Sequence, residues 1–270
     1  MKRPRPSIAL ILITLLAALP NGVRAETTSI DPKESGAQCD QGNAMACFDL
    51  GYFHHMQASR ALDPAKARAP YQQACDGGVL AACTNLALMY ETETGVRRDY
   101  GKARQLNKRA CDGGEMIGCV NLSLIYRLGL GVPRDDTEAR RLAKRACDGG
   151  DPGGCSNLGA IYQHGYGVPV DHKRAIGLYA RSCKTGYAIG CSNLGMMHEF
   201  GLGTPRDTET ALAFYTRACS DGSAEGCNNL GAVYDEGSAV PRNKAKAKYF
   251  YDKACQQGAT TACDNLRKLQ

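Results

Sequence analysis

The sequence predicts an all-α fold, an α-solenoid of antiparallel helix pairs with one disulfide per repeat. Three observations predict it. The first is a strict cysteine rhythm, at Cys39, Cys47, Cys75, Cys83, Cys111, Cys119, Cys147, Cys155, Cys183, Cys191, Cys219, Cys227, Cys255 and Cys263. The gaps alternate 8 and 28 residues, so the period is 36 with no insertion or deletion. The second is that other positions keep this beat. An asparagine follows the cysteine by two at Asn85, Asn121, Asn157, Asn193, Asn229 and Asn265, with Asp49 in the first copy, and a leucine comes next each time. The third is that apolar residues inside a repeat recur at helical spacing. A helix pair of this size cannot bury its apolar face alone, so copies stack into a solenoid.

The elements follow in chain order. Residues 1–25 read as a secretory signal peptide. Lys2, Arg3 and Arg5 form a basic start, Ile8 to Leu19 an apolar run, and Val23-Arg24-Ala25 a small-residue cleavage site. The apolar run falls short of the ~20 residues that span a bilayer, so no membrane span is expected after cleavage. Residues 26–36 read as a short linker and 37–270 as a single solenoid. The copy from Asp151 shows the repeat's design. Asp151-Pro152 is an N-cap followed by proline at the first helical position. Helix A then places Cys155, Leu158, Gly159 and Tyr162 on one face, Gly165 to Pro169 ends it, and Asp171 caps helix B. Helix B runs through Ala175, Leu178, Tyr179 and Ser182 to Cys183, with Gly186 just past its end. In the first copy Asp63-Pro64 repeats the cap-plus-proline device. A small slot (Gly51, Ala87, Ser123, Gly159, Gly195, Gly231) lets a neighbouring helix approach.

Charge excludes one class of partner. The full chain is +6, but Lys2, Arg3, Arg5 and Arg24 leave with the signal, and 29 basic against 27 acidic residues remain. A net charge near +2 gives no reason to expect nucleic acid. An even number of cysteines on an exported chain favours disulfides and places the protein in the periplasm or outside the cell.

The phrase C-x-N-L-G-x-x-Y-x-x-G-x-G-V-x-x-D-x-x-x-A at Cys155–Ala175 resembles the Sel-1-like repeat, a relative of the tetratricopeptide repeat. With C-D-G-G at Cys147–Gly150 it is similar to the Helicobacter cysteine-rich protein family. The resemblance covers about residues 37–270. It implies a right-handed superhelix of disulfide-bridged helix pairs and a secreted protein. Some members are described as penicillin-binding proteins or β-lactamases, so it also implies weak β-lactam hydrolysis, or a β-lactam or peptidoglycan-related ligand, as an alternative function.

Two regular cysteine pairings fit the rhythm. One joins cysteines eight apart, as in Cys111–Cys119, and uses all fourteen; the other joins cysteines 28 apart, as in Cys83–Cys111, and strands Cys39 and Cys263. The first is the expectation, because Gly113-Gly114 reverses the chain between Cys111 and Cys119 and brings them face to face. Each such bridge closes a short loop worth roughly 2.5 kcal/mol. No C-x-x-C occurs, and His54, His55, His164, His172 and His198 follow no ligand pattern, so neither a redox site, a metal nor a cofactor is expected. Catalytic residues are not identifiable. No S-x-x-K is present, and Lys184-Thr185-Gly186 occupies the slot of Asp112-Gly113-Gly114.

The candidate binding residues are Asn85, Asn121, Asn157, Asn193 and Asn229 on helix A. An amide both donates and accepts, so a ladder of them suits the backbone of an extended peptide or protein segment on the concave face. Tetratricopeptide relatives use such asparagines as backbone clamps, which the resemblance carries here. Variable side chains beside the ladder set selectivity: Leu88, Leu124, Ala160, Met196 and Ala232, then Thr92, Leu128, His164, Phe200 and Glu236. Against this stands an internal role, with each asparagine bonding the preceding repeat's backbone. Tyr90, Tyr126, Tyr162 and Tyr234 continue the Cys-Leu face and are expected in the core. A peptide- or protein-binding scaffold is the leading reading, with a structural spacer as the third.

Overall fold

A computed structural model describes residues 30–56, 64–238 and 240–269. The expected signal peptide lies outside them, as does Asp63. Fourteen α-helices and one short 3-10 turn (Pro64–Ala67) follow one another among the described residues. They are α1 (Pro32–Asp40), α2 (Ala44–Met56), α3 (Arg68–Asp76), α4 (Leu80–Thr92), α5 (Tyr100–Asp112), α6 (Met116–Leu128), α7 (Asp136–Asp148), α8 (Pro152–His164), α9 (His172–Lys184), α10 (Ala188–Phe200), α11 (Thr208–Ser220), α12 (Ala224–Glu236), α13 (Lys244–Gln256) and α14 (Thr260–Leu269). The even-numbered helices are A and the odd-numbered are B. The first helix starts at Pro32, ahead of residue 37 where the repeat arithmetic begins, because Asp31 caps it and proline fits its first turn. No described helix is long and apolar enough to cross a membrane.

The same local chemistry recurs in each copy. Asp99, Asp135, Asp171, Asp207 and Asn243 each accept from the backbone N–H three residues on, at 2.9–3.0 Å, and so start the B helices. Each such cap is worth about 1 kcal/mol. Gly165 closes α8 in the left-handed conformation (φ 70°). Gly114, at φ 99°, turns the chain from α5 into α6.

Seven disulfides pin these corners, each joining cysteines eight apart from Cys39–Cys47 to Cys255–Cys263. The Cα–Cα separation at Cys111–Cys119 is 4.6 Å. A cysteine in every helix of a solenoid is therefore a brace between the end of one B helix and the start of the next A helix.

Consecutive A helices touch one another directly: α6 meets α8, α8 meets α10 and α10 meets α12. Side-chain reach differs on the two sides. Between A helices a short asparagine is long enough, as Asn193 Nδ2 donates to Ser156 Oγ at 3.4 Å. Between B helices longer side chains span the gap, Gln73 to Cys39 in the first pair and cations in later ones. Arg109 reaches Asp76, Arg181 donates to the Cys147 carbonyl at 2.6 Å, and Lys253 to the Cys219 carbonyl at 3.4 Å. These cations also sit where the partial negative charge of the preceding B helix ends. Closer spacing on one side makes that side the inner one, so the stack curves with its A helices inward.

The small slot is explained by a residue twenty positions later. Gly51, Gly159, Gly195 and Gly231 face the rings of Tyr71, Tyr179, Tyr215 and Tyr251, and a Cβ at any of them would stand 2.5–2.8 Å from the ring. Where the slot holds Ala87 or Ser123, the opposing residue is Asn107 or Ala143. Interiors pack to crystal-like density, so a larger residue on one side requires a smaller one opposite.

Candidate functional site: the inner helix face

The asparagine slot lies between neighbouring A helices. Its amide nitrogen serves one of two acceptors in the preceding repeat. Asn193, Asn229 and Asn265 donate to the residue just after that repeat's helix-A cysteine: Ser156 Oγ at 3.4 Å, Ser192 Oγ at 3.5 Å and Asn228 Oδ1 at 3.0 Å. Asn85 and Asn121 turn instead to the B helix, bonding the Tyr71 hydroxyl and Asn107 Oδ1. The internal role is thus present, made to side chains rather than to backbone.

Asn157 breaks the pattern. Its Nδ2 is buried and has no hydrogen-bond partner. Both acceptor positions in its preceding repeat have lost their oxygen, one to Val120 and the other to Ala143. A buried unpaired amide costs about 1–3 kcal/mol, so the ladder carries a local defect at Asn157.

The variable positions line the same face. Leu88, Leu124, Ala160, Met196 and Ala232 are half-buried, and Phe200 is 51% exposed. An aromatic ring so exposed on an inner face is open to contact. Of the tyrosines expected in the core, Tyr90 is buried while Tyr126, Tyr162 and Tyr234 are half-buried. Lys102, Arg174 and Lys246 lie over the Tyr90, Tyr162 and Tyr234 rings at 5.2, 5.3 and 4.9 Å, which explains their position at the rim.

A second polar row, missed by the sequence reading, lies one position after those tyrosines: His55, Glu91, Arg127, Gln163, Glu199 and Asp235. Four of these meet the B-helix residue sixteen positions on. Tyr179 donates to Gln163 Oε1 at 2.6 Å, Tyr215 to Glu199 Oε2 at 2.7 Å, Asn107 to Glu91 Oε1 at 2.9 Å, and Tyr71 contacts His55 Nδ1 at 3.4 Å. Burial, offset in part by the Asn107 bond, pushes the Glu91 carboxyl up to about 7. The signal was in the sequence, because the row alternates in step with Tyr71, Asn107, Tyr179 and Tyr215. Arg127 faces Ala143 in this register, which offers no polar atom.

Lys184-Thr185-Gly186 is a helix end. Thr185 Oγ1 donates to the Ser182 carbonyl at 2.7 Å, and Gly186 takes φ 85°. The five histidines are spread over three repeats, and no group of three or more His, Cys, Asp or Glu that could hold a metal occurs among the described residues.

The Sel1 repeat profile matches residues 44–79, 80–115, 117–151, 152–187, 188–223 and 224–258. Among solved structures, the chain is similar to a Sel1 repeat protein from Oxalobacter formigenes, with 24% identity, a TM-score of 0.72, and coverage of 82% of this chain and 88% of that one. It is similar to immunity protein Pa5087 from Pseudomonas aeruginosa at 20% identity and a TM-score of 0.58, covering 85% and 84%. A likeness to Helicobacter pylori cysteine rich protein B has 29% identity and a TM-score of 0.40 over 48% of this chain and 92% of that one. No curated protein matches in sequence. At these identities the first two likenesses speak for the fold alone.

Proposed function

The chain belongs to the Sel1 repeat family, helical scaffolds typical of protein–protein interaction, and from that premise we propose that it is an exported scaffold holding an extended peptide or protein segment along its inner helix face. The observation that carries this reading is the row Leu88, Leu124, Ala160, Met196 and Ala232. These side chains differ from repeat to repeat and stay half-exposed, while the residues that build the frame recur in register. Solenoids act through such extended surfaces. The amide ladder joins in through its oxygens, since the nitrogens of Asn193 and Asn229 are bonded to Ser156 and Ser192. Carbonyl oxygens in a row accept the N–H groups of an extended backbone. Seven disulfides fit an oxidising compartment, which supports the periplasm or the outside of the cell.

Display of random peptides against the oxidised mature protein tests this. Selected peptides should lose at least about tenfold in affinity when Met196→Glu and Phe200→Glu are combined, because charge replaces apolar contact. They should keep it in Tyr249→Ser, which alters a 62%-exposed residue on a B helix. Failure to select any peptide, or sensitivity only to the B-helix change, would overturn the reading.

A further inference from the structure

We propose that Arg127 is the anchor for a carboxylate of the bound peptide, which makes acidic peptides the preferred partners of this scaffold. This rests on the peptide-binding reading above.

Arg127 stands in the polar row at the end of α6, where Glu91, Gln163 and Glu199 are each tied to a B-helix side chain. The matching residue for Arg127 is Ala143, fully buried and without a polar atom. The guanidinium is therefore released from the bond that holds its counterparts. It lies over the Tyr166 ring of the next repeat, 5.4 Å from the centroid. A ring face orients a guanidinium and leaves its N–H edge uncommitted.

No carboxylate neutralises it. The acidic group that acts on it is Asp136, and Asp136 is already held by both the Nε and an Nη of Arg134, at 2.9 and 2.7 Å. Arg127 forms no ion pair and no hydrogen bond among the described residues, and none of its nitrogens is sealed from solvent. Arg134 also lies over Tyr166, at 5.4 Å, and His164 packs on the same ring at 5.4 Å. Desolvation, then the charges of Arg127 and His172, hold the His164 ring below the usual imidazole range, so it is neutral at pH 7 and available as a hydrogen-bond partner. Ala143 also removes an acceptor from Asn157, whose buried Nδ2 is left unpaired.

A planar cation without a bonded carboxylate suits an oxyanion, and its fork of parallel N–H groups matches a carboxylate in two-point contact. The position suits a peptide rather than a free ion. Leu124, half-buried and about one helical turn before Arg127 on the same side of α6, gives an apolar neighbour beside the charge.

The test uses the oxidised mature protein and the peptides selected above. Those peptides should carry Asp, Glu or a free C-terminus, and replacing Glu by Gln, or the C-terminal acid by its amide, should weaken binding about tenfold or more. Arg127→Gln should cause the same loss for the acidic peptide and none for its neutral version, with unchanged melting temperature. Arg127→Lys, which keeps charge but not the fork, should recover only part of it. Titration of the Arg127 Nε–H resonance with glutarate and with inorganic phosphate separates the sources. A shift with glutarate and little with phosphate supports a carboxylate site; an equal or larger shift with phosphate overturns it. If peptides bind the inner face but acidic and neutral versions bind equally, the assignment to Arg127 fails while the scaffold reading stands. If no peptide is selected at all, the scaffold reading itself has failed.

Discussion

The Tyr179 ring occupies the space that a side chain at Gly159 would need: a Cβ there would stand 2.7 Å from the ring's Cε1. Tyr179 is 1% exposed and is held at its far end by Gln163, so it has no room to retreat. The pair fixes how closely α8 and α9 approach, and with it the depth of the inner face.

Gly159→Ala should destabilise the protein by about 1–2 kcal/mol through overpacking. In a Tyr179→Ala background the same change should become neutral or stabilising, because alanine is the better helix former by about 1 kcal/mol. Urea unfolding of the disulfide-intact proteins gives both numbers. An equal cost in the two backgrounds would show that the ring is not what excludes the side chain.

Val120→Thr should stabilise the chain by about 1 kcal/mol. Val120 is 3% exposed and stands where Ser156 and Ser192 accept from the asparagine ladder. Threonine has nearly the volume of valine and adds the missing oxygen for Asn157 Nδ2. Thr84 occupies the same slot one repeat earlier, its hydroxyl satisfied on the Ala81 carbonyl at 2.8 Å. The melting temperature should rise by ~2–4 °C, and the rise should vanish in an Asn157→Ala background. A rise that survives there would mean the new hydroxyl acts elsewhere.

The frame was legible in the sequence because its signals are local and repeated. Cap residues such as Asp171, turn glycines such as Gly165 and the eight-residue cysteine spacing each act within one corner. What the sequence reading missed acts across helices. The small slot was read as a close approach, but its partner, the tyrosine twenty residues on, is apparent only when two helices are set side by side. The asparagines' spacing fits a ligand ladder and the frame alike. Their nitrogens turn out to serve the frame through Ser156 and Ser192, which no single repeat reveals, because the bond spans 37 residues. Arg127 was unremarked because it differs from its row only in what is missing opposite it.

Replacing Cys111 and Cys119 together by alanine should cost roughly 2.5 kcal/mol. The loss should be local. Amide exchange should quicken at the α5–α6 corner and much less in α12 and α13, since repeats touch only their neighbours. A mass map of the unreduced protein should recover a peptide joining Cys111 to Cys119. Recovery of a Cys83–Cys111 peptide would contradict the corner brace, and with it the expected pattern of exchange.

Glu91 makes stability depend on pH in a stated direction. Its carboxyl titrates at an ordinary 4.5 when unfolded and near 7 in the fold, with burial as the main cause. The folded state therefore holds the proton more tightly. Stability is greatest below pH 4.5, falls as pH rises from about 4.5 to 7, and levels off above. The full fall is of order 2–3 kcal/mol. Other carboxyls add their own slopes: Asp49 and Asp151 are raised by burial, while Asp112 and Glu138 are lowered, chiefly by hydrogen bonds from Lys108 and Arg141. A difference between two proteins cancels these. Glu91→Gln keeps an acceptor for Asn107, as Gln163 does for Tyr179 in the same slot. It should match the wild type at pH 4 and exceed it by about 2 kcal/mol at pH 8. Urea midpoints taken at each pH from 4 to 8 give the difference curve. A curve that stays flat across that range would mean that Glu91 keeps its ordinary affinity for the proton, and that the Asn121–Asn107–Glu91 chain is solvated rather than buried.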